Sequence, residues 1–466
     1  MKKILLIGAM ALMVSNSTFA GGLLTNTNQN AAFLRNPSRD AVIAIDGVYS
    51  NPAGIAFMPQ GFHLSVSWQA AFQKRQMDVT NDLFKMNTNN PNANRFFEGT
   101  ASAPVIPSFQ AAYVINDKWS LMGSFAVGGG GGKAEFEDGL PMFEEMMGGA
   151  LVGANATSYS LNQNLTGKQY FYTFMVGGTY KLTDNFSVFG GVRGVLASCG
   201  YEGVISDIQA GGLLTGNQNV AASEYLQKVA AYASMNGDQV AAATATQYAN
   251  LMSQDFVLDC SQSAFGFSPI VGLDWKIGKL NLAAKYEFRT KINLENESSN
   301  SANIEALGAQ YPMVADFANG KKVRSDIPAL LTVGAMYEFT PAVRAMVGYH
   351  QYFDTDAEGS ATAVTDNTWE FTAGVEWDVN DKILLSLGGQ RTEYGFADSD
   401  IKDTNFNISS YGLCIGGAYK FSEKMKLNVG YMHSFYDDHK FTNDKGTACS
   451  YTRKNDVVGA SLDITF

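Results

Sequence analysis

The last thirteen residues of the chain, 454–466, alternate between apolar and polar side chains. The apolar positions are Val458, Ala460, Leu462, Ile464 and Phe466, and the polar or small ones are Gly459, Ser461, Asp463 and Thr465. A period of two is that of a β-strand. A strand with one apolar and one polar face suits a wall between lipid and water. The sequence therefore predicts a membrane-spanning strand at the carboxyl terminus.

The amino end predicts a cleaved secretory signal over residues 1–20. Lys2 and Lys3 provide the positive start, residues 4–14 a short apolar core, and Thr18-Phe19-Ala20 a small-residue cleavage site. No later run of about 18 apolar residues exists, so we expect no transmembrane helices. The formal net charge of −11 argues against nucleic acid as a partner.

The two-residue alternation recurs along the chain and predicts fourteen strands. They cover 62–72, 107–115, 118–128, 168–182, 185–199, 263–276, 279–290, 328–339, 342–353, 366–378, 382–393, 407–421, 424–436 and 454–466. A tilted strand needs about 9–11 residues to cross a bilayer, which these segments supply. In one of them Trp369 and Trp377 mark the two ends of the apolar face, as interfacial aromatic belts do.

The connections between these strands alternate between short and long. The short ones are Asn116-Asp117, Thr183-Asp184, Ile277-Gly278, Thr340-Pro341, Val379 to Asp381 and Ser422-Glu423. The long ones are 73–106, 129–167, 200–262, 291–327, 354–365, 394–406 and 437–453. Short periplasmic turns and long external loops are typical of outer-membrane barrels. We therefore expect residues 62–466 to form an all-β, 14-stranded antiparallel transmembrane β-barrel in the bacterial outer membrane, with both termini periplasmic.

Residues 21–61 do not fit the strand pattern and contain Asn51-Pro52-Ala53. An Asn-Pro pair favours a turn, because the residue before proline is restricted and asparagine bonds its local backbone. The segment could trail in the periplasm or fold back into the lumen as a plug, since a fourteen-stranded barrel leaves an aqueous hole unless something fills it.

The chain resembles the FadL-type outer-membrane transporters of long-chain fatty acids and aromatic hydrocarbons. The resemblance rests on Tyr49-Ser50-Asn51-Pro52-Ala53-Gly54-Ile55 before fourteen strands, with weaker similarity around Ile327-Pro328-Ala329 and Tyr411-Gly412-Leu413. It implies that residues 21–61 form a lumenal hatch bent at Asn51, Pro52 and Ala53. It further implies a kinked third strand that opens the wall sideways, and a ligand-capturing groove on the external loops.

A run of five glycines, Gly128, Gly129, Gly130, Gly131 and Gly132, ends the predicted third strand. Glycine weakens strand pairing and permits sharp bends. The run is therefore a candidate for the lateral opening. A flexible start to the following loop is the equally simple alternative.

Loop 200–262 has the spacing of two amphipathic helices, separated by Asn236-Gly237 as a stop and Asp238 as a cap. Their apolar stripes could pack against each other or form a groove for an acyl chain. The candidate groove residues are Met142, Phe143, Met146, Leu226, Val229 and Tyr232.

Four cations are predicted to face the lumen and are candidates to bind a ligand carboxylate: Arg193, Lys285, Arg289 and Arg344. Charge-assisted hydrogen bonds to a carboxylate are strong. The alternative is that these cations pair with lumenal glutamates across the barrel.

Of the four cysteines, Cys199 and Cys260 lie at the two ends of loop 200–262 and could form a disulfide in an exported protein. Cys414 has no evident partner, and no spacing matches a zinc site. None of the four histidines lies in a recognisable nucleophile motif. We expect no cofactor, no metal and no enzymatic activity.

The function expected from these patterns is passive uptake of hydrophobic compounds by a monomer embedded in outer-membrane lipid. Its ligand would be a hydrophobic small molecule, and its protein contacts would be the periplasmic and barrel-assembly machinery during biogenesis. The alternatives are a general porin for small hydrophilic solutes and a surface adhesin or structural barrel.

Overall fold

The computed structural model describes residues 29–299, 317–359, 365–398, 401–404 and 406–466. The predicted signal, 1–20, and the first residues of the predicted hatch, 21–28, lie outside them. Among the described residues, no helix is both long and apolar enough to cross a membrane.

Fourteen antiparallel strands form the wall of the barrel. They are β1 (Gly61–Thr80), β2 (Asn94–Val114), β3 (Trp119–Phe136), β4 (Ser158–Thr183), β5 (Phe186–Gly211), β6 (Phe256–Ile277), β7 (Leu280–Glu287), β8 (Leu330–Thr340), β9 (Val343–Tyr352), β10 (Trp369–Asp378), β11 (Ile383–Glu393), β12 (Ser410–Ser422), β13 (Met425–Tyr436) and β14 (Ala448–Thr465). Each pairs with the next, and β1 pairs with β14 from His63–Thr465 to Thr80–Ala448, which closes the sheet. The predicted fourteen-stranded barrel is confirmed.

The two ends of the barrel differ as predicted. All six tight turns lie at the end that carries Phe466, which we call the turn end, and the seven long connections lie at the opposite, loop end. Alternate side chains face out and in. Val375 and Trp377 are about half exposed on the outer face, whereas Glu370 and Glu376 are buried inside. An outer belt of apolar side chains around a polar interior fits a barrel in lipid.

Several strands are longer than the sequence predicts. β1 continues to Thr80 instead of ending at residue 72, and β4 begins at Ser158 instead of residue 168. The connections predicted at 73–106, 129–167 and 200–262 shrink to 81–93, 137–157 and 212–255. Backbone pairing persists beyond the membrane, where neither face needs to be apolar, so the alternation stops before the strand does.

The long connections carry most of the helices. Besides the short α1 (Ala31–Arg35), these are α2 (Pro141–Gly153), α3 (Ala222–Met235) and α4 (Gln239–Leu251). The two predicted helices of loop 200–262 are confirmed, and the Asp238 side chain accepts a hydrogen bond from the backbone N–H of Ala241 at 3.0 Å. Four short strands also lie in these connections, at Val220–Ala221, Asn293–Ser298, Lys322–Arg324 and His439–Thr442.

Candidate functional site

Residues 29–60, which we call the lumenal segment, lie inside the barrel. The segment contains α1 and two 3-10 helices, Ile45–Val48 and Pro52–Phe57, and most of its side chains are buried. Asn30 caps α1, and its Nδ2 donates to Ser65 Oγ of β1 and Gln110 Oε1 of β2, both at 2.9 Å. Two crevices that border the segment have volumes of about 30 and 20 Å³, which is room for one or two water molecules each. The segment therefore packs closely against the inner wall of the barrel.

Asn51 fixes a bend in the segment next to the wall. Its side chain accepts from Gly54 N, and its Nδ2 donates to Asp274 Oδ2 of β6 at 2.5 Å. Asn281 donates to the same Asp274 oxygen at 2.9 Å. Pro52 then starts the second 3-10 helix, as proline does at a first helical position. The predicted bend at Asn51, Pro52 and Ala53 thus lies against β6 and β7.

A cluster of arginines ties the segment to β10. Arg35 and Arg39 contact Glu376 Oε1 at 2.5 and 2.8 Å, and Arg344 contacts Glu376 Oε2 at 2.7 Å. Arg39 also forms a two-pronged pair with Asp46 at 2.7 and 3.0 Å. Burial alone would raise the pKa of Asp46, but the Arg39 guanidinium lowers that pKa below its usual value.

A band of inward-facing glycines lets the segment lie directly on the wall. One glycine comes from each of the seven strands β8–β14: Gly334, Gly348, Gly374, Gly388, Gly416, Gly430 and Gly459. A Cβ atom at Gly430 would lie 2.6 Å from the backbone nitrogen of Arg35, closer than two such atoms can approach. The close contact of residues 34–40 with this half of the barrel therefore depends on the missing side chains.

The four predicted carboxylate-binding cations already have protein partners. Arg193 pairs with Glu287, and Lys285 contacts Glu287 Oε1 at 2.7 Å. Arg344 is held by Glu376 and by Asp378, the latter at 2.6 Å. Arg289 lies 3.5 Å from Asp326. The alternative that these cations pair with carboxylates of the protein is observed, and ligand binding by any of them stays a prediction.

The wall has a gap between β2 and β3. Ser102 pairs with Lys133 and the next pair is Ser108 with Ala126, so residues 103–107 and 127–132 do not pair with each other. The glycine run of 128–132 thus lies within β3, whereas the sequence placed it at the strand end. Pro104 and Pro107 on the β2 side lack a backbone N–H and cannot donate to a ladder.

The backbone around the gap is shaped by particular residues. Gly130 has a φ of 69°, and a Cβ there would clash with the carbonyl of Gln169. On its other edge β3 still pairs with β4, through two bulges between Val127 and Gly132. The indole of Trp68 donates to the carbonyl of Pro104 at 3.0 Å, which satisfies an oxygen that the missing ladder leaves free.

A cavity of about 270 Å³ lies behind the gap, inside the barrel. Ala103, Ile106, Gly129 and Gly130 line it at the edges of the gap. Toward the loop end it is lined by Arg75, Gln73, Tyr201, Tyr436 and Arg453. The strand pattern of the sequence did not indicate the two arginines. Their proximity could have been inferred, because a closed barrel must pair its first strand with its last.

The six candidate groove residues do not converge on one groove. Leu226 and Val229 line an apolar crevice of only about 20 Å³ between helices, and Met146 packs against the same helical cluster. Met142 packs instead against a cluster that includes Phe136 and Tyr451. Phe143 contacts both clusters, and Tyr232 is 59% exposed. The helices mainly pack against each other, the alternative considered above.

The predicted disulfide is not formed. Cys199 and Cys260 are both free and buried, and Cys199 lies opposite Gln262 while Cys260 lies opposite Tyr201. Diagonal neighbours of this kind have Cα atoms about 7–8 Å apart, beyond the usual span of a disulfide. Because β5 and β6 continue past both residues, no loop starts there to be clamped. This prediction is wrong, and Cys414 and Cys449 are free as well.

Comparison with known protein families identifies the group to which this barrel belongs. The sequence model of the Gram-negative porin family matches residues 203–439, just over half of the chain. The chain belongs to the Gram-negative porin family. It is an outer-membrane β-barrel. A search of curated protein sequences finds no match.

Solved structures share the fold of this porin-family chain along nearly its whole length. A FadL homologue from Pseudomonas aeruginosa has a TM-score of 0.62 at 14% identity, and the match covers 95% of this chain and 99% of that one. The toluene transporter TodX from Pseudomonas putida has a TM-score of 0.56 at 12% identity, covering 91% of this chain and 94% of the other. A deletion mutant of TodX, a monoaromatic hydrocarbon channel, has a TM-score of 0.59 at 13% identity, covering 94% and 99%. At these identities the likeness establishes the fold.

Two features distinguish this member of the porin family from an open, water-filled barrel. A segment of its own chain lies inside the lumen, held by Glu376, Asp274 and the glycine band. Its wall lacks pairing between β2 and β3, and residues at the edges of that gap line an internal cavity.

Proposed function

We propose that the chain is an outer-membrane channel for passive uptake of hydrophobic compounds, with lateral release through the gap between β2 and β3. The observation that carries this proposal is the gap itself, because residues at its edges line an internal cavity and the wall there lacks strand pairing. A hydrophobic molecule gains free energy by leaving water for the bilayer, so no energy source is needed. Transport, and not catalysis, is the role of this barrel.

The lumenal segment serves as the hatch. It closes the direct route to the turn end, so that a ligand reaching the cavity leaves sideways. Support comes from the small crevices around the segment and from its anchoring to β10 and β6. With fourteen strands and long loops at the opposite end, both termini lie in the periplasm. The barrel functions as a monomer.

The external loops form a roof that a ligand passes before it reaches the cavity. Phe84, Phe97, Phe136, Phe406 and Tyr451 form a buried apolar cluster directly above it. Exposed apolar side chains on the outermost loops, among them Leu213 and Met235, offer a first contact for a hydrophobic molecule.

A general porin is the second candidate, favoured by the family match over residues 203–439. A general porin needs an aqueous path along the barrel axis. The lumenal segment supports the hydrophobic channel over a porin, because its mostly buried side chains occupy the space that an aqueous path would need.

The gap can be tested by filling it. Gly132 lines the cavity, and a Cβ atom there would meet its nearest neighbour, the backbone oxygen of Ser102, at 3.3 Å, so a side chain at this position requires that neighbour to shift by a few tenths of an ångström. In cells that express Gly132→Phe, we expect uptake of radiolabelled oleate to fall at least fivefold. Gly190→Phe is the matched control, because a Cβ at Gly190 meets nothing within 4 Å on the outer face of β5. Equal uptake by both variants would exclude exit through this gap.

A further inference from the structure

Two pairs of lysines lie side by side on neighbouring strands near the loop end of the barrel. Lys74 of β1 is directly opposite Lys454 of β14, and Lys133 of β3 is directly opposite Lys168 of β4. All four side chains are exposed, and we call them the lysine patch. Like charges placed opposite each other destabilise a pair of strands. An anion from outside the chain would relieve that repulsion.

The alternation of side chains places the lysine patch on the outer face of the wall. Lys74 shares its face of β1 with Phe72, and Lys168 shares its face of β4 with Phe174. Both phenylalanines are about half exposed. The other two lysines are the direct partners of these two across the ladder, so they face outward as well.

The patch lies just beyond the part of the wall that spans lipid. The exposed apolar side chains of β1 run from Phe62 to Phe72, and a tilted strand crosses a bilayer in about 9–11 residues. Lys74 is the next outward residue after Phe72. With the long loops outside the cell, this is the level of the lipid head groups of the outer leaflet.

The patch also borders the gap between β2 and β3. Lys133 pairs with Ser102, and the next pair of the two strands is Ser108 with Ala126. The two lysine pairs flank β2 on its two sides, about 10 Å apart, since neighbouring strands are about 4.8 Å apart. One head group could therefore contact both pairs directly above the gap.

Exposed apolar side chains continue from the patch along the gap. Val105, one of the unpaired residues of β2, is 65% exposed. Beside it lies the exposed indole of Trp68, which donates to the carbonyl of Pro104. Cations at the head-group level with apolar side chains below them match the two parts of an anionic lipid.

The protein compensates for only part of the charge of the patch. One lysine of each pair contacts a glutamate, at 2.7 Å between β1 and β2 and at 2.5 Å within β3. Lys168 and Lys454 have no ion-pair partner in the described part of the chain. Asp456, on the same face of β14 as Lys454, is 2.7 Å from His433.

We propose that the lysine patch binds the phosphate group of a lipid in the surrounding leaflet, and that an acyl chain of this lipid covers the gap from outside. An ammonium group offers three N–H donors on a flexible stem and is a common phosphate ligand. Clusters of basic side chains at a membrane surface attract anionic lipids. The lipid gives the unpaired part of the wall a removable cover. The site itself does not depend on the proposed transport function.

The test is quenching of Trp68 fluorescence by lipids with brominated acyl chains. The purified full-length chain, in a non-ionic detergent, keeps Trp68 while its other four tryptophans are replaced: Trp119→Phe, Trp275→Phe, Trp369→Phe and Trp377→Phe. The probes are brominated phosphatidate and brominated phosphatidylcholine, which has the same chains but a choline cation on its phosphate. A second chain that keeps only Trp369, on β10, reports lipid away from the gap.

Two sets of substitutions examine the patch in the chain that keeps Trp68. The first removes its charges: Lys74→Gln, Lys133→Gln, Lys168→Gln and Lys454→Gln. The matched control removes four exposed lysines at the turn end: Lys118→Gln, Lys279→Gln, Lys382→Gln and Lys420→Gln. Heat-modifiable migration checks that each variant is folded.

We expect phosphatidate to quench Trp68 at concentrations at least tenfold lower than phosphatidylcholine does. The patch variant should lose this preference, and the turn-end control should keep it. Arginine at the four patch positions should also keep it, because the charge is retained. Trp369 should respond to the two lipids alike.

Three results would overturn the inference. Equal quenching of Trp68 by the two lipids would exclude a phosphate site at the gap, and a preference retained by the patch variant would place the phosphate elsewhere. An equal preference at Trp369 would mean that anionic lipid gathers around the whole barrel.

Inorganic phosphate separates a lipid site from a site for free anions. It should not compete with phosphatidate at equal concentration, because it lacks the acyl chains that the gap contacts. Equal competition would show that the patch binds free phosphate and not lipid. Oleate uptake is measured separately, so loss of the lipid site would leave the transport proposal standing.

Discussion

Arg39 of the lumenal segment and Glu376 of β10 lie 2.8 Å apart in the middle of the barrel, and both side chains are buried. The same glutamate oxygen accepts from Arg35 at 2.5 Å, and its second oxygen is 2.7 Å from Arg344. One carboxylate therefore compensates for cations from the segment and from the neighbouring strand β9. It is the point at which the segment and the wall depend most on each other.

Glu376→Gln is expected to loosen the lumenal segment. Removing one member of a buried charge cluster leaves the others uncompensated and costs about 3–5 kcal/mol. Limited proteolysis of the folded barrel should then cleave within residues 29–60 much faster than in the unaltered chain. Glu393→Gln is the control, since Glu393 is a partly exposed partner of Arg391 near the loop end. Equal cleavage rates in the two variants would show that the cluster does not hold the segment.

Low pH should weaken the binding of the lumenal segment to the barrel wall, because Asp46 becomes protonated. Its pKa is lowered by Arg39, so the folded state binds a proton less readily than the unfolded chain. The stabilisation is then complete above about pH 4, the ordinary aspartate value, and is lost as pH falls through the lower folded pKa. Hydrogen exchange of residues 45–57 should accelerate in acid, after correction for intrinsic rates. In Asp46→Asn this acid dependence should shrink, and an unchanged profile would contradict the assignment.

A methyl group at Gly430 should displace the segment from the glycine band. The new Cβ would lie 2.6 Å from Arg35 N and 2.7 Å from Leu34 C, both of which are backbone atoms. Overpacking of this kind costs about 1–3 kcal/mol. Gly430→Ala should therefore lower the thermal unfolding midpoint, whereas Gly190→Ala, on the open outer face of β5, should not. A Gly430→Ala chain as stable as the control would mean that the contact is looser than described.

The local stability of the loops over the cavity should fall as pH rises, which is the opposite of the dependence expected for Asp46. Asp403 accepts hydrogen bonds from Met142 N at 2.7 Å and from Tyr451 Oη. Burial raises the pKa of Asp403 to about 6. Its protonated form is therefore favoured by folding, and the local stability falls as pH rises from about 4 to 6, by about 3 kcal/mol. Above pH 6 the loss is complete.

Asp403→Asn tests whether ionisation of Asp403 lowers the local stability as pH rises. We expect hydrogen exchange around residues 401–404 to lose its pH dependence between pH 4 and 7 in this variant, because the amide cannot ionise. The unaltered chain should show slower exchange at the acidic end, after correction for intrinsic rates. Faster exchange at pH 4 than at pH 7 in the unaltered chain would mean that ionised Asp403 stabilises these loops, which contradicts the prediction.

The barrel could be predicted from the sequence because lipid imposes a rule on each strand. Val375 and Trp377 face out while Glu370 and Glu376 face in, and the primary sequence records that alternation directly. Outside the bilayer the outward face need not be apolar, so the alternation ends. Past residue 72, Gln73, Lys74, Arg75 and Gln76 are all polar, so β1 was predicted to end eight residues before it does.

The site was harder to predict because it depends on pairings between distant residues. Arg75 fell in a predicted loop and Arg453 just outside a predicted strand, so nothing in the pattern brought them together. Cys199 and Cys260 were expected to bond, but the register sets them two residues out of line. The glycines of 128–132 were recognised, while their unpaired partners around Pro104 and Pro107 were not, although two prolines opposite five glycines can be read from the sequence.

The most direct test of the central claim is uptake of radiolabelled oleate and of a labelled hydrophilic sugar by cells that express the full-length chain. A parallel culture expresses a variant lacking residues 21–50, with its folding checked by heat-modifiable migration. We expect saturable oleate uptake without sugar entry through the intact barrel, and sugar entry once the segment is removed. Sugar entry through the intact, folded barrel would contradict this expectation and establish a general porin.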